Sequence, residues 1–164
     1  MKLDLREILD APGARLGFER ELDTDRLDFG SVEEYRGPVR ARGEVINTAG
    51  VLTARGVIDA DMLCVCDRCG AGFELKKHVD LSVPVVPETE GSDESEAFVM
   101  EGDALDIDDL LETAFILAMD TKLLCKPDCK GLCPKCGKNL NDGPCACKPE
   151  LDPRFAVLEQ LLDK

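Results

Sequence analysis

Val39-Arg40-Ala41-Arg42-Gly43-Glu44-Val45-Ile46-Asn47-Thr48-Ala49-Gly50-Val51-Leu52-Thr53-Ala54-Arg55-Gly56-Val57-Ile58 is the stretch on which the fold turns. Val39, Ala41, Gly43 and Val45 alternate with Arg40, Arg42 and Glu44, the period of two expected of a strand with one face in water. Asn47-Thr48-Ala49-Gly50 breaks the pattern, and Val51, Thr53 and Arg55 begin a second strand that continues through Val57 and Ile58. Two such runs around a loop of about four residues predict an antiparallel hairpin.

Strand signals extend on both sides of this hairpin. Leu3 and Leu5 alternate like a short strand, Pro12-Gly13 marks a turn, and Phe18 to Leu22 suits another strand. Asp23 to Arg36 is polar and carries no decisive pattern. Downstream, Phe73, Leu75, Lys77 and Val79 begin a strand that runs through Leu81, Val83 and Val85. Pro84 and Pro87 place it at an edge or mark its end, because proline cannot donate to a ladder. Residues 88–112 hold eleven Asp or Glu and no Lys or Arg. The first part of that run reads as an acidic loop over 88–97. The second starts a helix, with Asp106 as cap and Ile107, Leu110, Leu111, Ala114, Leu117 and Ala118 as the apolar face. Asp152-Pro153 supplies a cap and first-turn proline for a closing helix bearing Phe155, Leu158, Leu161 and Leu162.

The predicted fold class is therefore α+β: an antiparallel sheet with packed helices and a C-terminal, zinc-ribbon-like, Cys-rich module. Residues 1–120 form the α+β domain, and 121–164 the metal-binding module with its C-terminal helix. The chain of 164 residues has a formal charge of −14, no Trp and one Tyr, so its core must be mainly aliphatic. Met1 to Glu7 lacks the apolar run of a signal peptide. No stretch approaches the roughly 18 apolar residues of a membrane span. A cytoplasmic location is the expectation.

Nine cysteines stand out in such a chain. Six follow the spacing Cys125-x3-Cys129-x3-Cys133-x2-Cys136, then Cys145-x-Cys147, and Cys66-x2-Cys69 lies upstream with Cys64 beside it. In a reducing compartment, clustered cysteines serve as ligands or redox groups more often than as disulfides. Cys133-Pro134-Lys135-Cys136-Gly137 has the form of a zinc knuckle. Its glycine permits a positive φ, so backbone N–H groups can turn toward the sulfurs. One or two Zn²⁺ ions are expected. The simplest partition gives Cys133, Cys136, Cys145 and Cys147 to one ion and Cys66, Cys69, Cys125 and Cys129 to a second. A rival uses one ion and four of the six C-terminal cysteines. A thiol-redox protein using the Cys66/Cys69 pair is the alternative reading, although that motif belongs in a setting where a helix follows the first cysteine.

Other chemistries find no residues. A zinc deaminase needs His-x-Glu and Pro-Cys-x-x-Cys. The single histidine, His78, precedes Val79-Asp80, and Leu132 precedes Cys133. No phosphate-cradling glycine loop or Ser-His-Asp set is present, so we expect no enzyme, no catalytic residues and no small-molecule substrate. Thr121 to Lys148 holds six lysines against Asp128 and Asp142, net +4. Lys126, Lys130, Lys135 and Lys138 are the candidate contacts to nucleic acid or a protein partner. Two four-thiolate zinc centres, each net −2, would cancel that excess, so the lysines can equally be charge compensation.

The string from Cys125 through Cys129, Cys133-Pro134-Lys135-Cys136-Gly137-Lys138-Asn139-Leu140-Asn141 and Cys145-Ala146-Cys147 to Asp152-Pro153-Arg154 resembles the YceD family of large ribosomal RNA subunit accumulation proteins. Cys66-Asp67-Arg68-Cys69, preceded by a hairpin, resembles the same family's upstream signature. The resemblance spans roughly residues 37–162. It implies a bacterial ribosome-biogenesis factor that supports accumulation or processing of 23S rRNA. The partner would be large-subunit rRNA or a basic large-subunit ribosomal protein, with no membrane involved.

Overall fold

The computed structural model describes residues 1–87 and 97–147. In chain order the elements are β1 (Lys2–Asp4), α1 (Arg6–Leu9), β2 (Arg15–Leu22), β3 (Val32–Tyr35), β4 (Val39–Thr48), β5 (Val51–Val65), β6 (Gly72–Pro87), β7 (Phe98–Met100), β8 (Ala104–Asp106) and α2 (Ile107–Ala118). Short 3₁₀ turns follow β2 and lie in the tail. The expected closing helix, and nearly all of the acidic loop, lie outside the described residues.

Six strands form one sheet in the order β2-β4-β5-β6-β7, with β3 also paired to β5. All its pairings are antiparallel except β6 with β7, which is parallel. β1 and β8 make a separate two-stranded pair. The β4–β5 hairpin stands where the alternation predicts it, but its loop is shorter. Thr48 pairs with Val51, so only Ala49 and Gly50 turn, at φ 55° and 93°. Two residues at positive φ match the twist of the strands they join. Asn47 belongs to β4 and is buried. Its Nδ2 donates to the carbonyls of Ile8 and Leu9 at 2.7 and 2.8 Å, and its Oδ1 accepts from the Gly50 N–H at 2.8 Å. One polar side chain thus fastens α1 to the hairpin.

One face of the sheet is dry. Ala41, Ile58 and Val79 share one cross-strand row, and Val45, Ala54 and Val83 another. Between them Phe18, Gly43, Gly56 and Leu81 make a third. Here β4 and β5 approach so closely that a Cβ on Gly43 would lie 2.1 Å from the Arg55 carbonyl and 2.7 Å from the Phe18 ring. Phe18 covers the gap that the glycines leave. α2 adds Ile107, Leu110, Leu111 and Phe115 to the same core. Phe29 meets Phe115 edge to face, with ring centroids 6.0 Å apart. Asp106 caps α2 through the Asp109 N–H, as expected.

Two expectations need correcting. The periodicity places Leu117 on the apolar face of α2, but Leu117 is 80% exposed and Phe115 is fully buried. The helix packs along positions 107, 110, 111 and 115, and Leu117 lies outside that stripe. The packed helices are also sparse: among the described residues α2 is the only helix longer than one turn. The fold is sheet-rich, with α2 over the dry face. The Arg20–Asp108 and Arg26–Glu112 ion pairs tie α2 to β2 and to the turn that follows it.

Candidate metal centres

Two short turns of one design carry half of each cysteine cluster. Cys66-Asp67-Arg68-Cys69-Gly70 links β5 to β6, and Cys133-Pro134-Lys135-Cys136-Gly137 lies in the tail. In both, the glycine after the second cysteine sits at φ 70°. Gly70 donates its N–H to the Cys66 carbonyl at 2.8 Å, and Gly137 donates to Cys133 at 2.9 Å. A left-handed glycine lets the chain fold back, so neighbouring N–H groups face the sulfurs.

The other halves reach these turns differently. Cys129 meets Cys66 across 63 residues of chain, and Cys125 meets Cys69 across 56. Cys145 and Cys147 fold back on Cys133 and Cys136 from close by in sequence. The eight cysteines therefore group as Cys66, Cys69, Cys125 and Cys129 in an inner cluster and Cys133, Cys136, Cys145 and Cys147 in an outer one. This is the first of the two partitions considered from the sequence. Cys64 joins neither; it is fully buried in β5, and burial pushes its thiol pKa up.

The sulfur geometry tests whether an ion fits. Cys66 and Cys129 sulfurs are 3.8 Å apart, and those of Cys69 and Cys125 are 3.7 Å apart. Within each cluster all four sulfurs lie within 4.8 Å of one another. Thiolates about 2.3 Å from a tetrahedral ion stand about 3.8 Å apart. A disulfide would bring two sulfurs to about 2.05 Å, and all nine cysteines are free thiols. Either cluster could hold a metal ion.

The electrostatics agree with the geometry. Burial disfavours the Cys66 thiolate, but N–H groups of Cys125, Arg68 and Cys69 outweigh it and bring the thiol down to about 6. N–H groups of Cys136 and Lys135 bring Cys133 down to about 6 as well. The fourth sulfurs behave oppositely. Burial and the neighbouring sulfurs push Cys125 up to about 12, and the Cys136 sulfur, then burial, do the same to Cys147. The Asn141 side chain also lowers Cys129, so the inner cluster favours two anionic sulfurs, Cys66 and Cys129, and the outer favours Cys133, while in each the last sulfur is opposed by the others. A cation in the centre removes that opposition and lets all four ionise.

Hydrogen bonds fix the inner cluster to the sheet. Asp67 donates its N–H to the Leu123 carbonyl at 2.9 Å and accepts the Leu123 N–H on Oδ2 at 2.6 Å. Its other oxygen accepts from the Ser31 hydroxyl. Asn141 donates Nδ2 to the Cys129 sulfur at 3.4 Å and accepts the Lys130 N–H at 2.9 Å. Arg68 donates to the Cys129 carbonyl at 2.7 Å. Asp67, Arg68 and Asn141 were not singled out from sequence. The signals were their places, inside a Cys-x2-Cys turn or just after a knuckle, where side chains that orient ligands belong.

The candidate lysines Lys126, Lys130, Lys135 and Lys138 are all exposed on the module. Lys138 donates to the Pro144 carbonyl at 3.0 Å. Lys148 lies outside the described residues. His78 is exposed on the wet face of β6, with Nδ1 2.5 Å from Asp59, and belongs to neither cysteine cluster. Asp59 holds its pKa above the usual value. Among the described residues no helix is long and apolar enough to cross a membrane.

Comparison with known proteins gives this arrangement a family. The chain is 30% identical over 163 residues to uncharacterized proteins of Mycobacterium bovis and Mycobacterium tuberculosis, covering 97% of this chain and 73% of theirs. No solved structure matches. The family described as large ribosomal RNA subunit accumulation protein YceD matches residues 54–162, starting later than the resemblance read from the motifs and including both clusters. The chain, from β5 through the last of its cysteines, belongs to the YceD family.

Proposed function

We propose that this chain is a non-enzymatic, cytoplasmic factor of bacterial ribosome biogenesis that supports accumulation or processing of large-subunit rRNA. Both clusters hold structural Zn²⁺, and the lysine-bearing module of the outer one contacts the rRNA. One observation carries this reading: in a chain of this family, eight cysteines gather into two closed sets of four sulfurs. Four protein thiolates leave no position for water or substrate, so the ion would act by holding the chain together. All-sulfur tetrahedral sets suit zinc or iron–sulfur chemistry, and zinc is the ion that needs only shape from its ligands.

The thiol-redox alternative is less well supported. Cys66 is 1% exposed and has the Cys129 sulfur 3.8 Å away in addition to Cys69. Disulfide exchange needs an open line to the attacking sulfur.

Capture of the zinc-loaded protein from lysate, with and without nuclease, tests the reading. Large-subunit rRNA and its proteins are expected to co-purify and to be lost together after nuclease. Retention of one basic ribosomal protein after nuclease would move the contact from RNA to protein. Recovery of neither overturns the proposal.

A further inference from the structure

A shallow groove open to solvent lies beside the inner cysteine cluster, lined by Arg68, Cys129, Lys130, Leu140 and Pro144. It contains two cations and no carboxylate. The chain as a whole carries a net charge of −14. Arg6, Arg15, Arg20, Arg26, Arg36 and Arg40 each pair with an acid. Among the described residues Arg68 and Lys130 do not, and neither do Arg42 and Arg55 on the sheet.

Both cations are held in place at their bases. Gly131 is in the left-handed region at φ 73°, and a Cβ there would come within 2.9 Å of Arg68 Cγ and of the Arg68 carbonyl. The missing side chain is the seat of the Arg68 stem. One guanidinium nitrogen is spent on the Cys129 carbonyl at 2.7 Å, which leaves the rest of the donor fork to the groove. The Lys130 backbone is pinned by Asn141 at 2.9 Å. Lys138 comes to the same rim through its bond to the Pro144 carbonyl. Leu140 and Pro144 supply an apolar wall.

We propose that Arg68 and Lys130 form a nucleotide-phosphate site beside the inner cluster, which seats one RNA phosphodiester with its ribose against Leu140 and Pro144. The site rests on the RNA contact proposed above and makes it specific. It adds Arg68, from the β5–β6 turn, to the lysines of the tail, so the contact requires both halves of the protein in register. A phosphate held by fixed cations positions an RNA without reading its sequence.

The test is binding of the full, zinc-loaded chain to purified 23S rRNA across a salt series. Each lost phosphate contact is expected to weaken binding uniformly and to lower the salt slope by about 1. The double variant Arg68→Gln, Lys130→Gln removes that one phosphate contact, so it should bind about tenfold more weakly, with a slope lower by about 1, and keep its metal. Arg68→Lys, which keeps the charge, should keep the slope. Unchanged affinity and slope in the double variant, with wild type binding RNA, would overturn the site and leave the function standing. Loss of metal from the double variant would also overturn it, because the cations would then serve only to offset thiolate charge. No RNA binding by wild type would remove both the site and the RNA contact.

Discussion

The inner cluster takes its second pair of sulfurs from 56 and 63 residues away, whereas the outer cluster is built within the tail. Their knuckles match, down to a glycine at φ 70° in each. Their surroundings do not. Cys66, Cys69 and Cys129 are buried and pack with Leu124, Ala71 and Phe73, while Cys136 is exposed and Cys145 and Cys147 are half-buried. The same ligand unit thus performs two tasks. The inner cluster joins the tail to the far end of the β5–β6 pair, and an ion there would do the work of a hydrophobic interface with few side chains. The outer centre shapes a loop that has little core of its own. Closing a long loop costs the chain more entropy than closing a short one, though only logarithmically. The larger difference between the two lies in what each would release if broken.

The strongest way to break this comparison is to remove one ligand from each centre. Cys66→Ser should lose one of two metal ions and destabilise the protein by about 5 kcal/mol or more, since structural zinc contributes roughly 10–16 kcal/mol in small peptides. Cys145→Ser should also lose one ion, yet change the unfolding of the sheet by no more than about 0.5 kcal/mol. Native mass spectrometry counts the ions and denaturant unfolding reads the sheet. Equal destabilisation by the two variants would dissolve the distinction.

A smaller effect separates the glycines. Gly131→Ala puts a Cβ 2.9 Å from Arg68 with φ at 73°, so strain and collision combine. Gly137→Ala meets nothing within 4 Å at φ 70° and carries the backbone strain alone. Thermal unfolding should show a loss of about 3 kcal/mol for the first and about 1 for the second.

The hairpin and the knuckle were legible because each is a local pattern. β4 declares its two faces residue by residue, and Cys133-Pro134-Lys135-Cys136-Gly137 contains its own turn. The loop is shorter than the pattern suggests because Asn47, whose polarity reads as a turn, is spent on Ile8, Leu9 and Gly50. On α2, residues Ala114 to Met119 are apolar all round, so periodicity could not choose between Phe115 and Leu117. The contact with Phe29, 86 positions upstream in the chain by residue number, decides it. Spacing likewise identified cysteine pairs without saying which pairs meet. That is settled at long range, by the paired hydrogen bonds of Asp67 with Leu123.

Two further measurements sharpen the contrast. Asn141→Ala deletes the N–H that faces the Cys129 sulfur and should weaken the inner ion alone, by about 10–100-fold, in a competition titration with a chromophoric chelator. Chelation of the intact protein should then proceed in two steps, the outer ion leaving first because Cys136 is open to solvent. Simultaneous release would mean that the two centres act as one.

Cys64 gives these experiments an internal clock. It lies in β5, fully buried, within two residues of the inner knuckle but outside both sets of ligands. A thiol-labelling reagent would reach its sulfur only when the sheet itself opens. Eight equivalents of label should follow demetallation, and the ninth should arrive at the rate of global unfolding. The odd cysteine is a built-in stopwatch that times the collapse of the scaffold separately from the departure of its ions.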